Sequence, residues 1–329
     1  YRLLFVVESE DDPAYAALQP YLRSGGEDDA MKSVRLIVAG RAARGGQKVH
    51  NQLAALRALE PNDQAVVFAD ADAVPDELWL WRLATFLRRN QVGVTTGYRW
   101  FVPTDPTMPS RLLSVLNSSI ATLLGPSRRN FAWGGSMAFR RDELPEQQVI
   151  ENFDGALSDD YQLTRTCREQ GRRVYFVMRC LVASPASTTW GKLLEFGRRQ
   201  YIITRVHAPA IWLIGLISTT VYTAAWLAAL AAIAMQAGGW GWALTAIVAL
   251  QLADIGRAGR RASAVREAFD HETAAKLRGA MLLDRWATPL VMAVHAVIIW
   301  SSAIGRTITW AGVRYRMRGR REVEIVERG

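Results

Sequence analysis

The sequence has 329 residues, enough for one or two domains with a sizeable core, so size forces neither an oligomer nor a disulfide scaffold. Hydrophobic residues reach 50% and charged ones 22%, which points to a soluble part joined to a greasy one rather than to a uniform globule. The net charge of +9 gathers beside the apolar runs, at Arg257, Arg260, Arg261 and Arg266 and again over 314–321, where it suits anionic lipid headgroups; with no zinc spacing and no RNA-binding aromatic signature, no nucleic-acid partner is expected.

The chain opens at Tyr1 and runs straight into an apolar stretch, so it reads as a piece of a longer protein with room for a further transmembrane helix upstream. Residues 3–7, 34–38, 65–68 and 92–96 are short apolar or β-branched runs with polar ends, and 47–59 and 76–89 carry apolar residues at helical spacing. Alternation of this kind predicts an α/β domain with a mainly parallel sheet, in which ligands gather at the carboxyl ends of the strands. Residues 131–139 hold Gly134 and Gly135, which permit close backbone approach. Residues 158–171 start a helix on acidic side chains, where the helix dipole favours them, and 174–177 is a final strand. Cys167 and Cys180 lack metal-ligand spacing, so reduced thiols and a cytosolic soluble half are expected.

Beyond residue 207 the composition changes. No charge falls between 208 and 253, and the run 209–237 exceeds the ~20 residues a spanning helix needs. Gly238 and Gly239 break it before a second run, 240–253, and a third follows at 287–304. Three single spans would leave the two basic segments on opposite sides of the bilayer, against the positive-inside preference. The expectation is therefore two transmembrane helices within 208–255, after an interfacial helix at 191–207. A basic loop and a third membrane or re-entrant helix follow over 256–312, then a basic cytosolic tail at 313–329. The location that follows is integral membrane, with the soluble domain over 1–190 in the cytosol.

Three acidic sites carry the chemistry. In Phe68-Ala-Asp70-Ala-Asp72-Ala-Val-Pro75 a hydrophobic strand runs into two carboxylates that strand alternation can bring to one side, a pair suited to a hard divalent cation bridging diphosphate oxygens. The plainer alternative is a polar loop after a strand. Glu8, Asp11 and Asp12 end the first strand, either as grips for a base and ribose or as a solvated turn. Ser158-Asp-Asp-Tyr161 offers a carboxylate able to take the proton of an attacking hydroxyl, or a helix cap, or both. His50, His207, His271 and His295 show no ligand spacing.

These three sites, followed by a basic-aromatic stretch and membrane segments, resemble glycosyltransferases of family 2 and the related family 21, closest to the ceramide glucosyltransferase-like enzymes and their bacterial hopanoid-associated branch. The matching stretches are Val7-Glu-Ser-Glu-Asp-Asp-Pro-Ala14, Gly45-Gly-Gln-Lys-Val-His-Asn51, Asp70-Ala-Asp72, Trp133-Gly-Gly-Ser-Met-Ala-Phe-Arg-Arg-Asp-Glu-Leu144, Ser158-Asp-Asp-Tyr161 and Thr309-Trp-Ala-Gly-Val-Arg-Tyr-Arg316. The resemblance implies a GT-A (nucleotide-diphospho-sugar transferase) catalytic domain over 1–190 with C-terminal transmembrane or interfacial α-helices, a bacterial inner (cell) membrane location, a UDP-sugar donor, Mg2+ or Mn2+, and inversion at the anomeric carbon.

Carried over residue by residue, it places Glu8, Asp12, Lys48, Asn51 and Asp70 about the nucleotide-sugar and Asp72 on the metal. Asp160 becomes the general base, with Gly134, Gly135 and Asp159 beside the acceptor and the transferred sugar. One departure concerns the Gln/Arg-X-X-Arg-Trp pattern that the family usually carries before the membrane. Here it reads Glu195-Phe-Gly-Arg-Arg-Gln-Tyr201, with Gly197 in the first position and Gln200-Tyr201 where Arg-Trp is expected, so Arg198, Arg199, Gln200 and Tyr201, with Arg205 nearby, become the candidates to neutralise a departing diphosphate. The equal alternative is headgroup-facing arginines on an interfacial helix. The expected reaction moves one hexose or N-acetylhexosamine, glucose favoured, to the hydroxyl of a ceramide- or hopanoid-like membrane lipid in the bilayer. A processive polysaccharide synthase and a catalytically inactive membrane scaffold are the alternatives. Oligomeric state is not legible.

Overall fold

The computed structural model describes residues 1–24, 33–126 and 129–329. In chain order the elements are β1 (Arg2–Val7), α1 (Pro13–Ser24), β2 (Ser33–Val38), α2 (Gln47–Arg57), β3 (Ala65–Ala69), α3 (Trp79–Leu87), β4 (Val92–Pro103) and α4 (Met108–Ala121). Next come β5 (Ser136–Arg140), α5 (Glu146–Phe153), α6 (Asp159–Glu169), β6 (Arg173–Ala186), α7 (Trp190–His207), α8 (Pro209–Ala234) and α9 (Trp240–Ala268). Short helices α10 (His271–Lys276) and α11 (Arg278–Trp286), then α12 (Thr288–Ser301), lead to β7 (Thr307–Trp310), β8 (Val313–Met317) and β9 (Val323–Arg328).

The chain divides into two compact units. The first comprises Tyr1–Val66, Phe139–Arg172 and Arg306–Gly329. Its β1 and β2 pair in parallel, Arg2 opposite Ser33 through to Val7 opposite Val38. On α2 the buried residues Val49, Leu53 and Leu56 recur at helical spacing and pack with α5; each side chain of this size contributes roughly 1.5–3 kcal/mol on burial. The segment 313–329, expected as a tail, is instead folded: β7, β8 and β9 form an antiparallel sheet. Its physical basis is alternation, since Val313, Tyr315 and Met317 are buried while Arg314 and Arg316 face out.

The second unit comprises Val67–Ala138 and Arg173–Gly305. The four-stranded sheet runs β3-β5-β4-β6, with β4 and β6 parallel and irregular between Thr96 and Tyr98. Trp79, Leu83 and Leu87 of α3 pack on Val92, Ala138, Val177 and Val182. A second apolar cluster joins Phe101, Leu112, Leu113 and Leu116 to Leu193, Val291 and Ile298, so α4, α7 and α12 share one core.

One helix among the described residues, α8, is long and apolar enough to cross a membrane. The run 240–253, expected as a second span, is the first half of α9, which continues through Arg257, Arg260 and Arg261 to Ala268. Its roughly 14 apolar residues rise only ~21 Å against a hydrocarbon core of ~30 Å. Where a loop is expected, residues 256–286 form the end of α9 followed by α10 and α11. Arg261 pairs with Asp284 at 2.6 Å, both buried, which satisfies two charges that isolation would make costly. Helices α11 and α12 meet at a 91° bend, the form of a broken span or re-entrant loop.

Candidate active site

In the first unit the acidic turn follows β1. Glu8 is paired with Arg41 at 3.1 Å and with Arg328 of β9 at 3.6 Å. Asp12 opens α1, its Oδ1 accepting from the Ala14 amide at 2.9 Å. Asn51 accepts from the Gln47 side chain at 2.9 Å, and the Gln47 amide donates to the Tyr315 hydroxyl at 3.4 Å. The C-terminal sheet thus contributes Tyr315 and Arg328 to this corner.

The Asp159–Asp160 pair sits in the first turn of α6, with Ser158 as N-cap. The two carboxylates take different environments. Asp159 is buried, accepts from Gln52 Nε2 at 2.6 Å and is paired with Lys48 at 3.1 Å. Asp160 is half-buried and accepts from the Ser158 hydroxyl and from the Tyr161 amide at 2.7 Å. Burial, and after it the charge of Asp159, push the Asp160 carboxyl up to about 6; the Ser158 bond, Lys48 and the Tyr161 amide pull it back in part. An acid so tuned can hold or release a proton near neutral pH.

In the second unit Asp70 and Asp72 follow β3 and converge on one nitrogen. Arg99 Nη2 lies 3.0 Å from Asp70 Oδ2 and 3.0 Å from Asp72 Oδ1. The Asp72 side chain is 65% exposed while that of Arg99 is 17% exposed, so the pair opens outward from a held guanidinium. Arg99 stacks between Phe101 and Trp133, 5.1 and 5.2 Å from their ring centres. Gly134 and Gly135 are buried in the turn before β5. A Cβ on Gly135 would lie 2.5 Å from Asp70 Oδ2 and 2.2 Å from the Trp133 ring, so only glycine lets the backbone reach the carboxylate.

On α7 the basic stretch separates by role. Arg198 donates to the carbonyls of Ser301 at 3.1 Å and Ile304 at 2.9 Å, and Arg205 to those of Ala303 and Gly305. Arg198 thus caps the C-terminal end of α12, where cations are favoured, and Arg205 holds the turn that follows it. Gln200 is exposed. Tyr201 is turned to α12, its hydroxyl 2.6 Å from His295 Nδ1. Arg199 lies over the Phe196 ring at 5.3 Å, and Phe196 meets Phe101 edge-on at 5.6 Å. Burial holds the Arg199 guanidinium below its ordinary value, with Glu195 raising it and Arg99 lowering it further. Within this unit Asp70, Asp72, Gly135, Arg99 and Arg199 therefore belong to one neighbourhood.

A family model described as Glycosyl transferase family 21 matches residues 1–323. The chain belongs to that family. It is accordingly a glycosyltransferase. No curated protein matches it. Among solved structures, one titled "Crystal Structure of a Mycobacterial Protein" is similar at 15% identity over 60% of this chain and 71% of the other, with a TM-score of 0.33.

Within the transferase, the departure at Gly197 has a packing cause. A Cβ there would stand 2.7 Å from Ile298 Cγ2, so the long side chain usual at this position is incompatible with the close approach of α7 and α12. Arg99 and Gln52 are the site residues that the sequence reading misses. The one charge in the otherwise uncharged run of β4 is the signal that could have found Arg99. For a divalent ion the residues fit: Asp70 and Asp72 present two carboxylate oxygens about a point now taken by a cationic nitrogen. Among the described residues no group of three or more His, Cys, Asp or Glu could hold a metal. Substrate phosphates ordinarily complete such a shell.

Proposed function

We propose that the transferase moves one hexose or N-acetylhexosamine, glucose favoured, from a UDP-sugar to the hydroxyl of a ceramide- or hopanoid-like lipid, with inversion. The fold assigned to the catalytic part is GT-A, and the location a bacterial inner membrane crossed by α8. One observation carries the mechanism: Asp160, a half-buried carboxyl raised to about 6 by burial and by Asp159, is a base that is ionised at neutral pH yet still basic enough to accept a proton.

The lipid hydroxyl oxygen attacks the anomeric carbon from the face opposite the diphosphate. Its proton passes to Asp160 as the new C–O bond forms. The old bond from that carbon to the diphosphate breaks, and UDP leaves with the electron pair. Mg2+ or Mn2+, held by Asp72 with Asp70, would supply charge neutralisation for the diphosphate oxygens. Arg199 adds a cation to the same task, while Arg198 and Arg205 fix α12 rather than the substrate. Glu8, Asp12, Lys48 and Asn51 are assigned to the nucleotide, with Lys48 also bracing Asp159. Gly134, Gly135 and Asp159 are assigned to the sugar and acceptor.

The test is Asp160→Asn, assayed with a panel of UDP-sugars and a total lipid extract and read by mass. Transfer should fall by about 10²–10⁴-fold, the usual worth of a general base, with donor binding unchanged. Full transfer in that variant refutes the assignment. Products bearing more than one added sugar would favour a processive synthase.

A further inference from the structure

Arg99 lies outside every role assigned above, yet it is the group that touches both carboxylates of the Asp70–Asp72 pair. Its Nη2 bridges them at 3.0 Å each, and its side chain is held by two aromatic faces. Its Nε is buried without a hydrogen-bond partner, so packing and the two carboxylates set its orientation. A second guanidinium, that of Arg199, is close enough to be depressed by it. The two guanidinium charges balance the two carboxylates, so a divalent ion added between them would leave the site with a surplus of two positive charges. The arrangement suits a site that later takes in the several negative charges of a diphosphate.

We infer that Arg99 is a resident counter-cation that occupies the metal seat between Asp70 and Asp72 and yields it only when ion and nucleotide diphosphate arrive together. In the unloaded protein a divalent ion alone must displace the guanidinium and leave it without anionic partners. When UDP accompanies the ion, phosphate oxygens replace the carboxylates as acceptors for Arg99, so displacement costs little. Arg99 thereby couples the two ligands, and by linkage each raises the affinity of the other by the same factor. The bidentate geometry of guanidinium with phosphate oxygens makes arginine the suitable residue for this exchange. The inference rests on the reading of Asp70 and Asp72 as the metal carboxylates.

The test uses the full chain in detergent and titrates Mn2+ by electron paramagnetic resonance, with and without UDP. In the wild type UDP should tighten Mn2+ binding by about tenfold or more, within the usual range of coupling between sites. In Arg99→Met, which keeps an unbranched side chain between Phe101 and Trp133, Mn2+ alone should bind more tightly than to wild type, and the tightening by UDP should shrink by about threefold or more, what remains coming from phosphate oxygens that ligate the ion directly. Arg99→Gln repeats the measurement with a polar side chain should the methionine variant misfold. A wild-type degree of coupling in a folded Arg99 variant overturns the inference. Asp72→Asn separates the two levels: if it loses Mn2+ while Arg99→Met keeps wild-type coupling, the metal reading stands and the counter-cation role falls. Mn2+ binding that is indifferent to Asp72→Asn removes both.

Discussion

Two aspartate pairs in this transferase solve the problem of adjacent negative charge in opposite ways. Asp70 and Asp72, one residue apart at a strand end, turn to the same side and share a single guanidinium. Asp159 and Asp160, neighbours in the first turn of a helix, diverge: one is tied down by Lys48 and Gln52, the other is left to a serine and a backbone amide. Cation placement decides the outcome. A shared cation makes a convergent pair that can be exchanged for another cation, whereas a cation given to one partner alone leaves the other as a base. A turn after β3, closed by the Ala73 amide on the Asp70 carbonyl at 3.1 Å, brings the first pair together, whereas successive residues of a helix point apart; backbone geometry thus gives two chemically identical pairs two different environments.

The sharpest way to break the first arrangement without touching a charge is Gly135→Ala. The new methyl group must push either the Asp70 carboxylate or the Trp133 ring, at 2.5 and 2.2 Å, and both support Arg99 and the convergent oxygens. An overpacking cost of roughly 2 kcal/mol, felt at the site, corresponds to about a thirtyfold loss in Mn2+–UDP affinity, measured by calorimetry. The acid limb of the activity profile should not move, because Asp160 is not involved. A variant that binds as wild type would show that the close approach of Gly135 is incidental.

The second arrangement is sharpened by its pH dependence. Transfer should fall about tenfold per pH unit below about 6, as Asp160 becomes protonated. Because Asp159 raises this carboxyl and Lys48 lowers it, Asp159→Asn should move the acid limb to lower pH and Lys48→Met to higher pH. A limb that ignores both substitutions belongs to some other group.

Much of this was legible in the residues themselves. The apolar runs at β1, β2 and β3, the Ser158 cap, and the three acidic positions each carry a local signature, a periodicity or a polar residue at a fixed offset, that survives without tertiary context. Arg99 has no such signature: its meaning comes from β3 and β4 bringing residues 27 and 29 positions apart to one point. The folded end of the chain failed for a different reason. Val313, Tyr315 and Met317 alternate as a buried strand face should, but five arginines between 314 and 321 dominate the composition and read as a tail. Charge there is matched across strands, Arg318 to Glu324 at 2.9 Å, which a count of basic residues does not show. The arginines of α7 were misgrouped likewise, since sequence cannot tell a helix-capping guanidinium from one facing a substrate.

The smallest predicted effect is one of stability, and it tests whether Asp160 is held basic at the expense of the fold. Its carboxyl is raised from 3.8 to about 6 in the folded protein. Below the unfolded value both states are protonated and any contribution of the raised group is fully retained. As pH climbs towards 6 the unfolded chain ionises first, so the folded state loses stability progressively, and above about 6 the loss is complete. A shift of this size corresponds to roughly 3 kcal/mol at 1.36 kcal/mol per unit, reduced to about 1 kcal/mol because the side chain is partly solvated. Asp160→Asn removes the ionisation yet keeps an oxygen able to accept from Ser158 and the Tyr161 amide. Its Tm should therefore match wild type at pH 4 and exceed it by about 2 °C at pH 7.5. A variant less stable than wild type at pH 7.5 would mean that the Asp160 charge stabilises the fold, and the contrast with the Arg99-bridged pair would lose its physical basis.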